Sequence, residues 1–209
     1  MVKNEDWANL TKYRIANTSL APCMIGQDRI VFLGDSITEF WSALHPDFFV
    51  NKPFVNRGIS GQTTPQMLVR FRADVIALDP TVVIILGGIN DIAGNTGFSS
   101  IEMITDNIFS MTEIARANQI KVIICSVLPA SDFPWKPKKE PIEKIQSLNK
   151  ILENFADKNS IVYLDYYSTM VDDNGGLKVE FSNDGVHPNK AGYQIMAPLA
   201  EKAIARVLK

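Results

Sequence analysis

Cysteine and histidine are scarce in this chain, with two of each among 209 residues. Cys23 lies in a proline-flanked stretch and Cys125 inside an apolar run, neither with a CxxC partner or a metal-ligand neighbour. That spacing excludes a disulfide framework and a thiolate metal site, so both are expected as free thiols. A dominant charge of one sign is lacking too. The formal net charge is −2 and the isoelectric point is near 5.7, which offers no electrostatic basis for binding nucleic acid or an anionic membrane. No apolar run approaches the roughly 18 residues that a membrane span needs. The N-terminal stretch "MVKNEDWANLTKY" is polar and holds no apolar signal core. The chain as it stands is therefore expected in the cytoplasm; a signal peptide ahead of it would make the protein secreted or periplasmic. Internal repeats and low-complexity segments are also missing, and the length suits one domain.

What is present is material for a core, since 46% of the residues are apolar. Four short runs are apolar throughout rather than alternating: "RIVFL" at 29–33, "TVVIIL" at 81–86, "KVIICSV" at 121–127 and "SIVYLD" at 160–165; "PFVN" at 53–56 is a weaker one. Continuous apolar runs mark parallel strands covered on both faces. Helix-length segments lie between them, at 64–78, 100–118, 142–158 and 189–209. In the second, Ile101, Ile104, Ile108, Met111 and Ile114 form one stripe; in the third, Ile145, Leu148, Ile151, Leu152 and Phe155 do. This alternation predicts an α/β fold, a doubly wound parallel sheet at 29–209, with residues 1–28 as an N-terminal extension packed on it. Trp7 and Trp41 are read as packing residues and "DDNGG" at 172–176 as a turn. Ligands of such sheets sit at the carboxyl ends of the strands. The polar, glycine-rich stretches fall there: "GDS" at 34–36, "RGISG" at 57–61, "GGIND" at 87–91, the proline-rich loop "PASDFPWKPKKEP" at 129–141, and "SNDGVHPN" at 182–189 before the last helix.

Ser36 opens a helix, where it serves either as an N-cap or as a nucleophile backed by helix-terminal amides. Asp35 competes for the cap, and is otherwise a candidate for contact with substrate. A serine nucleophile needs a base, and the choice is short. His45, in "SALHPDFF", is followed at once by a proline and is read as structural. His187 follows Asp184 by three residues. A carboxylate at that spacing reaches the imidazole Nδ1–H across a tight turn and stabilises the imidazolium; the plainer reading has Asp184 capping the last helix. Gly58 offers a backbone N–H and Asn90 a side-chain amide, two donors for an oxyanion, though each stretch taken alone reads as a glycine turn or a weak phosphate cradle.

"GDSIT" at 34–38, the glycine of "NRGISG" at 56–61, "GGIND" at 87–91 and "DGVHP" at 184–188 together resemble, in order and spacing, the four sequence blocks of the SGNH/GDSL hydrolase family. Isoleucine stands where the family name has leucine, an apolar residue either way. The resemblance implies a flavodoxin-like sheet of five strands ordered 2-1-3-4-5 between helices. It implies Ser36 as nucleophile, His187 as base, Asp184 as its orienting acid, and Ser36, Gly58 and Asn90 as the oxyanion hole. It implies no metal and no organic cofactor. The pattern resembles the compact bacterial members, similar to the platelet-activating-factor acetylhydrolase catalytic subunit and to carbohydrate acetylesterases, and such likeness allows a homodimer, on which the residues themselves are silent.

No long insertion is present to build a lid or an acyl tunnel, so short acyl groups, acetyl above all, are the expected substrates, on a small-molecule or carbohydrate alcohol. Phe133 and Trp135, on the loop after the fourth strand run, are candidates to contact that alcohol, with packing of the loop as the alternative. Lys136, Lys138 and Lys139 are expected to be solvated. Two other readings stand beside a short-chain esterase: a lysophospholipase or acyl-thioesterase on the same residues, and a non-catalytic flavodoxin-like module that binds phosphate through its glycine loops.

Overall fold

The computed structural model describes residues 5–23 and 26–209; residues 1–4 and 24–25 of the expected N-terminal extension lie outside it. The chain runs α1 (Arg14–Thr18), β1 (Ile30–Gly34), α2 (Ser36–Leu44), β2 (Phe54–Gly58), α3 (Thr64–Asp74), β3 (Val82–Leu86), α4 (Ile89–Ala93), α5 (Ile101–Ala117), β4 (Lys121–Cys125), α6 (Pro141–Lys158), β5 (Val162–Leu164), α7 (Tyr167–Met170) and α8 (Lys190–Leu208). The five strands form one parallel sheet in the order β2-β1-β3-β4-β5. Helices α3, α5 and α6 pack as one layer; α2 and α8 meet on the other. With both faces covered, β1 and β3 are buried at every position, while the edge strand β2 is only partly so. That is why β1 and β3 read as unbroken apolar runs and β2 as a weak one.

Several boundaries differ from the sequence expectation, each for a local reason. The segment 64–78 is helical only to Asp74; its last turn tightens to a 3₁₀ turn at Ile76–Leu78, which Asp79 ends in the left-handed conformation, just before Pro80. β2 runs past the expected 53–56 to Gly58, because Arg57 and Gly58 pair with Leu33 and Gly34. β5 is confined to three residues of 160–165. The stretch "GGIND" is not a plain turn: Gly88 enters the left-handed region and residues 89–93 form the short helix α4.

The α2 layer is anchored by Trp41. Its indole stacks on Phe48 at 4.6 Å and on Tyr193 at 5.4 Å and meets Phe32 edge-on at 5.8 Å. Tyr193 in turn donates its hydroxyl to the Ile37 carbonyl at 2.7 Å, tying α8 to α2. Trp41 is wholly buried, as expected, whereas Trp7 stays partly exposed. Removing so large a buried ring leaves a cavity, and Trp41→Ala is expected to destabilise the fold by about 3–5 kcal/mol in chemical denaturation. The indole N–H has no acceptor among the described residues. Trp41→Phe discards that unsatisfied donor with the lost area and is expected to cost much less. Equal losses would place the energy elsewhere than in ring burial. Both cysteines are free thiols, Cys125 buried in β4. No helix among the described residues is long and apolar enough to cross a membrane.

Candidate active site

The register of the sheet sets Gly34, Gly58 and Leu86 abreast, so the loops after β1, β2 and β3 leave it side by side. Because β1 is flanked by β2 on one side and β3 on the other, the chain departs in opposite directions here and opens a crevice. Ser36 lies at this point, the first residue of α2. Asp35 is the true N-cap: its Oδ1 accepts from the Ile37 amide at 3.0 Å. Ser36 is thus released from capping, and its Oγ lies 2.9 Å from His187 Nε2. On the far side of the ring, His187 Nδ1 is 2.6 Å from Asp184 Oδ2. The turn before α8 makes this possible. Asp184 Oδ1 accepts from the amides of Val186 at 2.9 Å and His187 at 2.8 Å, and Asn189 caps α8 in its place. Burial pushes the Asp184 carboxyl up, but the His187 ring and these amides outweigh it and hold it at about 2. The carboxylate therefore stays ionised beside the imidazole through the neutral range.

The donors expected for an oxyanion hole sort less simply. The Ser36 amide has no acceptor among the described residues. Asn90, buried in α4, donates one side-chain N–H to the Gln62 carbonyl at 3.0 Å and accepts at Oδ1 from Asn95 at 2.8 Å, which leaves its second N–H unpaired among the described residues. Gly58 is placed differently from expectation. Its amide donates to Asn56 Oδ1 at 2.9 Å, and a Cβ there would stand 2.1 Å from the Glu39 amide. Gly58 is glycine so that β2 and α2 can approach, and its N–H is spent within the strand end. Gly61, three residues on, has φ +77°, a conformation glycine adopts without strain, and its N–H has no acceptor among the described residues. The second glycine of "NRGISG" was the available signal for this position.

The loop carrying Gly61 is held from several directions. Glu39 of α2 accepts from both the amide and hydroxyl of Ser60 at 2.6 Å, and Lys12 of the N-terminal segment pairs with Glu39. Gln62 donates to the Ala8 carbonyl at 2.7 Å. Arg70, wholly buried, donates to Gln62 at 2.5 Å, to Asp74 at 3.0 Å and to the Gly34 carbonyl at 2.9 Å, so one guanidinium joins the strand end before Ser36 to the residue after Gly61. Nothing in the local pattern of α3 marks Arg70 for this; on the sequence it is one more charged residue on a surface helix.

The expected substrate contacts divide as well. Phe133 is 0% exposed and lies beneath Trp135, 5.4 Å between centroids, so it has no surface to offer a ligand and packs the loop down. Asp35 is likewise buried beneath the site as a cap, not facing it. Trp135 is 41% exposed with its ring 5.7 Å from that of His187. Phe40, 38% exposed, flanks the imidazole at 5.4 Å; it sits four residues after Ser36 on the same helix, a spacing that would have revealed it. Lys136 is not simply solvated, since its ammonium donates to the Gly94 carbonyl and clasps the proline-rich loop to the end of α4. His45 closes α2 and stacks on Phe48, away from these groups.

Two buried carboxyls lie under the site. Burial raises Asp35 to about 7; its Oδ2 has no partner among the described residues. Burial raises Asp91 to about 6, although it accepts from the amide and hydroxyl of Thr64 at the start of α3. In both cases the folded state binds the proton more tightly than the unfolded chain. Stability from this source is present at low pH and is lost as pH rises from the unfolded value of 3.8 toward about 7. The melting temperature is therefore expected to rise on acidification through that window. Asp35→Asn keeps the cap acceptor and is expected to flatten the slope. A melting temperature that falls steadily on acidification through the same window would contradict the assignment.

The sheet and the gathering of serine, histidine and aspartate at its strand ends define a class, a parallel α/β protein built for hydrolysis. The sequence pattern of the GDSL-like lipase/acylhydrolase family matches residues 32–195. The chain belongs to this family and is a carboxylic ester hydrolase. Among solved structures, it is 46% identical to a Bacteroides fragilis protein described as an acylhydrolase, over 98% of this chain and 100% of that one, with a TM-score of 0.96. It is also 46% identical to a GDSL-like lipase of Bacteroides thetaiotaomicron, over 95% and 98% of the two chains, with a TM-score of 0.93. An acetylxylan esterase of Geobacillus stearothermophilus is 23% identical over 203 residues, 81% of this chain and 90% of the relative.

Proposed function

We propose that the protein is a serine esterase that removes short acyl groups, acetate foremost, from a carbohydrate or a similar alcohol. The observation that carries this reading is the unbroken line from Ser36 Oγ through the His187 ring to Asp184. In the acylation step His187 Nε2 takes the Ser36 proton as Oγ attacks the ester carbonyl. Asp184 keeps Nδ1 protonated and stabilises the imidazolium. The negative oxygen is received by the amides of Ser36 and Gly61 and the unpaired N–H of Asn90. His187 then hands its proton to the departing alkoxide, releasing the alcohol and leaving the acyl group on Ser36. Water repeats the sequence: His187 accepts its proton, the hydroxide attacks the acyl carbonyl, and Ser36 leaves with the proton returned.

The substrate class rests on the walls. Phe40 and Trp135 present partly exposed rings on either side of His187, surfaces suited to stacking on a sugar face. The acetylxylan esterase relative supports acetate as the acyl group. Hydrolysis of p-nitrophenyl acetate, butyrate and octanoate tests the choice. kcat/KM is expected to fall steeply with chain length. Octanoate as the best substrate would overturn it in favour of a lysophospholipase, and a preference for thioesters in favour of a thioesterase.

A further inference from the structure

The proposed hole depends on which way the Asn90 amide points; the Gln62 carbonyl holds it from one side, and a side chain outside the four blocks holds it from the other. The indole N–H of Trp135 can only donate. It lies 3.2 Å from Asn95, so the Asn95 atom facing it must be the acceptor Oδ1. Asn95 Nδ2 therefore faces the other way, donating to the Gly61 carbonyl at 3.2 Å and to Asn90 at 2.8 Å. The Asn90 atom receiving that bond must be Oδ1, which turns Asn90 Nδ2 toward the Gln62 carbonyl and leaves its second N–H for an oxyanion. The main chain repeats the tie, since the Asn95 amide donates to the Asn90 carbonyl at 3.0 Å. Asn95 thus touches both halves of the hole, the Gly61 loop and the Asn90 amide, and fixes the aromatic wall beside His187.

We infer that Asn95 is a positioning residue that sets the oxyanion hole by holding the Asn90 amide in one orientation. The inference rests on the reading of Asn90 as a hole donor. It makes a prediction that general stabilisation does not. Asn95→Asp replaces the donor by an acceptor against Asn90 Oδ1; the Asn90 amide must then either shift away from residue 95 or turn its oxygen toward the Gln62 carbonyl and the oxyanion, and either response misplaces the hole donor.

The test is a double-mutant cycle in kcat on p-nitrophenyl acetate, with melting temperatures alongside. Asn90→Ala alone is expected to lower kcat by roughly 100- to 1,000-fold, the usual loss for one hole donor. Asn95→Asp is expected to approach that loss with KM little changed, and Asn95→Ala, which adds no repulsion, to lose less. In the Asn90→Ala background neither change should lower kcat further, because the amide they orient is gone. Losses that multiply, or an Asn95→Asp enzyme with wild-type kcat, would overturn the inference while leaving Asn90 in the hole. An unchanged kcat in Asn90→Ala would overturn the hole reading of Asn90 itself, and the role of Asn95 with it. If Asn95→Asp melts far below the wild type, the Asn95→Ala cycle decides by the same criterion.

Discussion

Ser36→Ala and His187→Ala, made separately, are each expected to reduce kcat by on the order of 10⁵- to 10⁶-fold, and the double variant by no more than either alone. The expectation follows from the geometry. Among the described residues Ser36 Oγ has one side-chain partner, His187 Nε2 at 2.9 Å, so removing the base leaves an alcohol that is a poor nucleophile. Removing the serine leaves a base with nothing to deprotonate except water. Each loss disables the same step, hence the lack of multiplication. Folding is not expected to suffer, since neither side chain is in the hydrophobic core. Steady-state and single-turnover assays on p-nitrophenyl acetate, with circular dichroism as a control, check all three variants. Multiplying losses would mean that the two residues act in separate steps.

Asp184→Asn is expected to cost roughly 10⁴-fold in kcat with little change in melting temperature. The argument lies in which atoms the substitution spares. Asparagine keeps an Oδ1 able to accept from the Val186 and His187 amides, so the turn that presents His187 should persist. Its NH₂, however, replaces the Oδ2 that faces Nδ1 at 2.6 Å. The ring responds by taking the tautomer with Nδ1 bare and Nε2 protonated, and Nε2 can no longer receive the Ser36 proton. Asp184→Ala should lose the turn contacts as well and melt earlier. Wild-type activity in Asp184→Asn would reduce the site to a serine–histidine pair with Asp184 as a turn residue.

How much of this was legible in the sequence depends on the distance over which each residue acts. The parallel sheet was legible because burial on both faces leaves unbroken apolar runs, whereas its strand order and the meeting of Ser36, His187 and Asp184 were legible through the resemblance of the four blocks. Asp184 and His187 are neighbours in the chain, so their contact was legible from spacing alone. Gly58 was misread because two glycines stand in one loop, and only backbone geometry tells which amide is spent on Asn56 and which is left open at Gly61. Phe133 and Trp135 are two residues apart, yet one is buried and the other lies beside His187. Arg70 and Asn95 were not legible at all. Their roles depend on partners that local pattern does not reveal, Gly34 among those of Arg70, and Gly61 and Trp135 beside the nearby Asn90 for Asn95.

The central claim is that Ser36 is an activated nucleophile. Intact mass spectrometry after brief exposure to a fluorophosphonate tests it most directly, since the reagent phosphonylates a serine that has a working base and an oxyanion hole. The account predicts a single adduct on the wild-type chain, mapped to Ser36, and none on Ser36→Ala. A wild-type chain that stays unmodified, or an adduct that persists in Ser36→Ala, would contradict it. The first of these outcomes would bring forward a module that binds phosphate through its glycine loops without catalysis.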